Sequence, residues 1–367
     1  MNETTLTPII VHPEIRERIL RGFEQNRLPH ALLFYGPEGC GKDATAIWVA
    51  QLLNCQSSQA GVCGVCDACH KIARLQYPDV KFIFPTPSAA NQKNSDVNNL
   101  RAEIAENPYR RTSFEGKNTF IGIDTVRELK QEARFKLYEG KKKIYIISQA
   151  EQMRPEAANA LLKILEEPPD NLMLILTTSR IYRILPTIKS RCQLIPFRSL
   201  QEEQIFPLIQ QYAANIDENR LRLIVRLAGY NLKNVFDFLE SDVIEMRDLA
   251  VEFLRKIVRI QHSHELMILV ESVVSQRERE KARQMLWFLM LWFQDALYLQ
   301  KFGESADLKN LDLKKNLTEF LKFAPRANFQ EIVWEIETAL QALDDPRNLN
   351  PILILTTLAI KINQHIK

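Results

Sequence analysis

Ala31-Leu32-Leu33-Phe34-Tyr35-Gly36-Pro37-Glu38-Gly39-Cys40-Gly41-Lys42-Asp43 is the stretch that decides the fold. A continuous apolar run enters a glycine-rich turn, and a helical pattern with Ala46, Ile47, Ala50 and Leu53 on one side leaves it. Strand, loop and helix in that order make a phosphate-binding loop. Backbone N–H groups at the helix start cradle phosphate oxygens, and Lys42 reaches the terminal ones. Further continuous apolar runs at 81–84, 144–147 and 173–176 read as strands buried on both faces. Helical patterns alternate with these runs from about residue 12 to 198, which predicts an α/β domain whose parallel strands cross over through helices.

After Phe197 the strand signals stop. Apolar residues then recur at helical spacing, as at Leu221, Ile224, Val225 and Ala228, so the second half is expected to be all α. A chain of 367 residues exceeds one ordinary core. We expect three domains: the phosphate-loop domain over 1–198, a small helical lid over 199–245 and a helical bundle over 246–367, with the last boundary at the charged stretch 240–247. The polar stretch 85–117 interrupts the α/β pattern without a period and reads as a partly helical surface insertion. Lys141-Lys142-Lys143 reads as a solvated strand entry rather than a DNA contact.

Composition narrows the function. A hydrophobic share of 46%, a charged share of 25% and only 11 glycines fit ordered globular domains. The net charge of +3 gives no overall field toward nucleic acid, so any DNA contact is expected to be shared with partners. The longest apolar run, 285–293, is well short of the roughly 20 residues a membrane helix needs and reads as a buried core helix. Residues 1–8 lack the pattern of a signal peptide, which predicts a reducing, cytoplasmic setting. Clustered cysteines there point to metal rather than disulfides. Cys55, Cys63, Cys66 and Cys69 supply enough thiolates in one short segment to close a tetrahedral structural zinc site; adjacent His70 is a spare ligand that four cysteines make unnecessary. Cys40 and Cys192 stand apart.

The phosphate loop departs from a hydrolysing one. Its next position should carry the hydroxyl of Ser or Thr that holds magnesium, and it carries Asp43. The partner strand should end in two acids, one for the metal and one to prepare the attacking water. It ends Ile146-Ile147-Ser148-Gln149. Metal ligand and base are both missing, so the ATP site is expected to be degenerate, with weak nucleotide binding at most.

The motifs that follow are more specific: Glu156-Ala157-Ala158-Asn159-Ala160-Leu161-Leu162-Lys163-Ile164-Leu165-Glu166-Glu167-Pro168-Pro169, then Thr177-Thr178, then Ser190-Arg191-Cys192. This series resembles the bacterial DNA polymerase III clamp-loader subunits, AAA+ proteins related to the gamma/tau subunit, over roughly residues 10–240. The resemblance implies an AAA+ fold, a nucleotide site at Gly36, Gly41, Lys42 and Asp43 with Thr177 as a sensing position, and a zinc module on the four cysteines. It also implies that Arg191 is an arginine finger offered to ATP held by a neighbouring subunit.

With its hydrolytic residues lost, the chain is similar to the delta-prime type of that family. The implied partners are the gamma/tau motor and delta subunits, with the sliding clamp and primed DNA reached through the complex, and no membrane. The final helix, with Ile352, Leu355, Ala359 and Ile362 after 348–351, looks like the last helix of the family's oligomerisation collar. Where the family's lid carries a sensing arginine, this chain has Lys233. The competing readings are an ATP-hydrolysing motor subunit of the same complex, a free-standing P-loop NTPase and a zinc nucleic-acid module. The last would require basic and aromatic residues around the cysteines, and 60–68 is nearly neutral.

Overall fold

The computed structural model of the chain describes residues 12–57, 61–88, 94–110, 114, 118–213, 216–240, 243–258, 263–274, 279–306, 308–310, 313–345, 347 and 349–366. The stretch 1–8, parts of 85–117, residues 241 and 242 of the charged boundary and Asn348 lie outside these. Two compact units form: residues up to 113 with 119–218 and 230–237, and residues 219–229 and 238–367 with 114–118. The 199–245 stretch is therefore divided between them.

In the first unit the chain runs α1 (Pro13–Glu24), β1 (Ala31–Tyr35), α2 (Lys42–Asn54), α3 (Asp67–Ala73), β2 (Val80–Ile83), β3 (Thr86–Pro87), α4 (Asn94–Glu106) and β4 (Thr119–Phe120). It continues through α5 (Ile123–Glu132), β5 (Lys143–Ile147), α6 (Pro155–Glu166), β6 (Leu172–Thr178), α7 (Pro186–Lys189), β7 (Gln193–Pro196) and α8 (Glu202–Tyr212). Five strands pair in parallel in the order β2-β5-β6-β1-β7, and β3 and β4 form a separate antiparallel pair. The α/β expectation is borne out.

The apolar runs of β1, β5 and β6 end up where both faces are covered, whereas Lys81 of the edge strand β2 is exposed. Every residue of β5 and β6 is buried. Helix α6 begins with Pro155 in its first turn, where a missing N–H costs nothing, and stops before Pro168 and Pro169. Its Ala157, Leu161, Ile164 and Leu165, spaced as one helical stripe, pack in the same core as Leu33, Ile147, Leu174 and Leu176. The register sets Tyr35 opposite Thr178 and Ile147 opposite Leu176, so the carboxyl ends of β1, β5 and β6 line up on one edge. That edge is where open parallel sheets place ligands.

The second unit is all helix among its described residues. It contains α9 (Glu218–Leu227), the end of α10 (Leu232–Glu240), α11 (Val243–Val258), α12 (Ser263–Val274), α13 (Arg279–Phe302), α14 (Lys314–Phe323), α15 (Phe329–Leu343) and α16 (Pro351–Ile366). The apolar 285–293 run lies inside α13, with Met285, Leu286, Leu289 and Phe293 buried, as its pattern predicts. No described helix is long and apolar enough to cross a membrane. The buried stripe of α16 is Leu355, Leu358, Ala359 and Ile362.

Candidate functional site

The loop after β1 is held in shape by its own residues. Lys42 opens α2, yet its ammonium turns back to donate to the carbonyls of Gly36 (2.9 Å) and Pro37 (2.5 Å). Gly39 has φ +69° and lies so close to Asn231 that an added Cβ would sit 1.7 Å from that side chain's Oδ1, so only glycine fits. Leu232 N–H donates to Gly39 O (3.0 Å), and Lys233 pairs with Glu38 at 3.2 Å. Lys233 thus reaches the loop itself. His12 lies 3.1 Å through Nε2 from Cys40 O and is buried, which pushes its pKa down despite the nearby Glu14.

Asp43 is the centre of the site. Its Oδ2 accepts a hydrogen bond from Ser148 Oγ at the end of β5 (2.8 Å), and its Oδ1 accepts one from Thr177 Oγ1 in β6 (2.6 Å). Both hydroxyl residues are buried. The three positions read from sequence as a missing metal ligand, a missing acid and a sensor thus form one closed network. Two short, charge-assisted bonds satisfy the carboxylate within the chain. Gln149, at the expected position of the water-activating acid, takes a left-handed backbone with φ +52° and accepts from Gln152 Nε2 at 2.7 Å.

Gly36, Gly41, Lys42, Asp43 and Thr177 are brought together as the sequence suggested. The cleft bordered by Gly41, Lys42, Asp43 and Thr177 measures about 50 Å³, and Pro108 and Tyr109 from the 85–117 stretch line it. That stretch is not confined to the surface: Leu100, Ile104, Asn107 and Tyr109 are buried. Tyr109 packs edge-on against Tyr212 (6.0 Å between ring centroids), which meets Phe236 (5.6 Å). Burial pushes the Tyr109 phenol well above its ordinary pKa. No periodicity in the segment signalled this position.

Cys55, Cys63, Cys66 and Cys69 form a second site, their sulfurs all within 4.8 Å of one another. Cys63 and Cys69 sulfurs are 3.9 Å apart, close to the ~3.8 Å edge of a tetrahedron with Zn–S bonds of about 2.3 Å. Cys66 Sγ caps α3 by accepting from Cys69 N–H, and Cys63 Sγ accepts from Cys66 N–H, both at 3.4 Å. The turn between them needs a left-handed residue, supplied by Gly64 at φ +72°. The Val65 backbone N–H is the chief cause that brings the Cys63 thiol down to about 6, whereas burial pushes Cys69 up. Four sulfur donors with N–H groups directed at two of them fit a bound metal ion.

This cysteine module is tied to the start of β5. Lys141 Nζ donates to Cys55 O (2.6 Å), and Asn54 Oδ1 accepts from the backbones of Lys141 (2.8 Å) and Lys142 (3.0 Å). Buried Asp79 accepts from the N–H groups of Tyr138, Glu139 and Gly140. Lys143 is buried and donates to Glu132 O and Phe135 O, so the solvated entry read from the sequence fails at Lys143, while Lys141 is exposed and Lys142 half-buried.

Arg191 stands apart from both sites. It follows α7, its Nη1 donates to Thr187 O (3.0 Å), and its Nη2 pairs with Glu166 at the end of α6 (2.8 Å). The pair is open to solvent, with 35% and 48% of the two side chains exposed. Such pairs contribute about 0–1 kcal/mol, so the guanidinium is oriented but weakly committed.

Comparison with known proteins places the whole arrangement. The family described as DNA polymerase III, delta subunit, matches residues 11–201. The delta' subunit of DNA polymerase III from Bacillus subtilis is 27% identical over 334 residues, 90% of each chain. The delta' subunit of Pseudomonas aeruginosa is 38% identical over 164 residues, 44% of this chain and 41% of that one. The gamma/tau subunit of Mycobacterium bovis is 30% identical over 237 residues, 63% of this chain, and the match spans 36% of that protein's length. A family match over more than half of the sequence, centred on the phosphate-loop unit whose geometry is given above, bears out the resemblance drawn from the 156–192 motifs: the chain belongs to the DNA polymerase III delta subunit family.

Proposed function

We propose that this chain is a clamp-loader subunit of the delta-prime type, which does not hydrolyse ATP itself and presents Arg191 to ATP bound by a neighbouring gamma/tau-type motor subunit. The observation that carries the reading is the engagement of Asp43 by Ser148 and Thr177. A hydrolysing site needs a metal at that place and a base beside it. Here two hydroxyls fill the first role's position and Gln149 stands at the second. Relatives named delta' and gamma/tau support a complex with other DNA polymerase III subunits, through which clamp and primed DNA are reached. Within this reading 199–245 acts as the lid, 246–367 as the oligomerisation collar, and the four cysteines hold a structural zinc ion.

An arginine in trans neutralises charge spreading over the transferred phosphoryl group, an effect of about 10³–10⁵ in rate in known cases. Weak pairing with exposed Glu166 leaves Arg191 free to exchange partners. The test is ATP hydrolysis and clamp loading by the complex reconstituted with its motor subunit. Arg191→Ala should leave assembly intact and lower loading, and Arg191→Lys should rescue poorly because a point charge lacks the planar fork. Normal loading by the Arg191→Ala complex would make the arginine structural. Steady hydrolysis by the pure chain, abolished by Lys42→Ala, would instead favour the motor reading.

A further inference from the structure

We propose that the turn Asn107-Pro108-Tyr109 is a built-in plug of the phosphate-loop cleft, so that this chain excludes nucleoside phosphates and does not merely fail to hydrolyse them. This concerns binding at the home site and is independent of what Arg191 does elsewhere.

The turn is constructed to stay. Asn107 N–H donates to Glu103 O (2.9 Å) at the end of α4, and Asn107 Oδ1 accepts from Tyr109 N–H (3.0 Å). Arg110 N–H closes the turn on Asn107 O (3.2 Å). Leu100 and Ile104 bury the face of α4 that leads into it. Tyr109 is 2% exposed and rests on Tyr212, which rests on Phe236. Phe236 belongs to the same helix whose Lys233 and Leu232 grip Glu38 and Gly39, so plug and phosphate loop share one support.

What remains of the cleft matches a plugged site. The space left beside Pro108 and Tyr109 measures about 50 Å³, room for a few water molecules. The lysine that would meet phosphate already has partners in the loop carbonyls, and Asp43, at the place where a metal would be held, is engaged by two hydroxyls. A nucleotide can enter only when 107–109 swings out, and its apparent affinity is lowered by the fraction of time the cleft is open.

The test is isothermal titration of the full chain with ADP, on the wild type, Tyr109→Ala and the milder Tyr109→Leu. Raising the open fraction from about 1% to about 10% strengthens apparent binding about tenfold. We expect at least that gain in either variant that folds, and its loss when Lys42→Ala is added, which locates the gain at the phosphate loop. Wild-type affinity within about twofold of a folded variant overturns the plug, as does a gain that Lys42→Ala leaves in place. Folded variants that bind no ADP overturn it too, since closure would then lie with Lys42 and Asp43. Should both variants unfold, hydrogen exchange on the wild type decides: unchanged protection of 39–43 in ADP supports the plug, and ADP-induced protection there refutes it.

Discussion

Thr177→Val tests whether the Asp43 network is a structural element or an accident of neighbouring side chains. Valine keeps the branched shape of threonine and removes only the hydroxyl that donates to Asp43 Oδ1 at 2.6 Å. A hydrogen bond to a charged group contributes about 1.5–3 kcal/mol. Asp43 is partly accessible, so water takes over some of the lost donation and the lower end applies, about 1.5 kcal/mol. In an Asp43→Ala background the same substitution removes a hydroxyl with no carboxylate to serve, so its cost should fall by about 1 kcal/mol or more. Asp43 lies in the first turn of α2, and the assay is hydrogen exchange of peptides covering 42–54. A loss of about 1.4 kcal/mol speeds exchange through local opening about tenfold. Equal acceleration by Thr177→Val in both backgrounds would show that the two side chains are not coupled and would refute the network.

Two further outcomes follow from the cysteine module and its anchor. Metal analysis of carefully purified chain should give one zinc, and less than about half an equivalent would count against the site; Cys66→Ser should lose the ion and loosen α2 and α3 while leaving the Arg191–Glu166 pair in place. Asp79 should make the fold acid-sensitive: burial pushes its pKa up, but N–H donors at Tyr138, Glu139 and Gly140 outweigh that and leave it lowered. Its stabilisation is therefore present above the unfolded value of about 3.9 and is lost as pH falls through the lower folded value. Asp79→Asn should be less stable than wild type to urea at pH 7, with the gap narrowing once the pH falls below the unfolded value of about 3.9; a gap that stays constant on acidification would exclude the carboxylate as its origin.

The sheet was legible because strands buried on both faces are written as unbroken apolar runs, and three of the five parallel strands carry one, while the edge strand β2 has its run broken by exposed Lys81. The fifth, β7, reads Gln193-Leu194-Ile195-Pro196 with only Ile195 buried, so no apolar run marks this edge strand. The cysteines were legible by spacing alone. The Asp43 network was not, because its hydroxyls lie 105 and 134 residues away and meet only when the ends of β5 and β6 line up beside the loop. Each departure could be named from sequence, but that they satisfy one another could not. The position of Tyr109 was hidden for a different reason: a short polar segment carries no period, and what it covers is set by α8 and α10 far along the chain.

The Lys42 and Asp43 environment differs from that of Arg191 and Glu166 in a way that bears on the direction of the chemistry. At the phosphate loop the charged groups are spent inside the unit: Lys42 is 9% exposed and bonded to backbone, and Asp43 is held by buried hydroxyls. Displacing those partners exposes the cost of stranded buried groups, about 1–3 kcal/mol each. Arg191 faces no such barrier, since breaking its exposed pair with Glu166 costs at most about 1 kcal/mol. A phosphate presented from outside therefore competes for Arg191 far more easily than one entering the chain's own loop competes for Lys42. That difference is what the proposed function requires, and it comes from solvent exposure and hydrogen bonding alone, without appeal to the missing acids at Ser148 and Gln149.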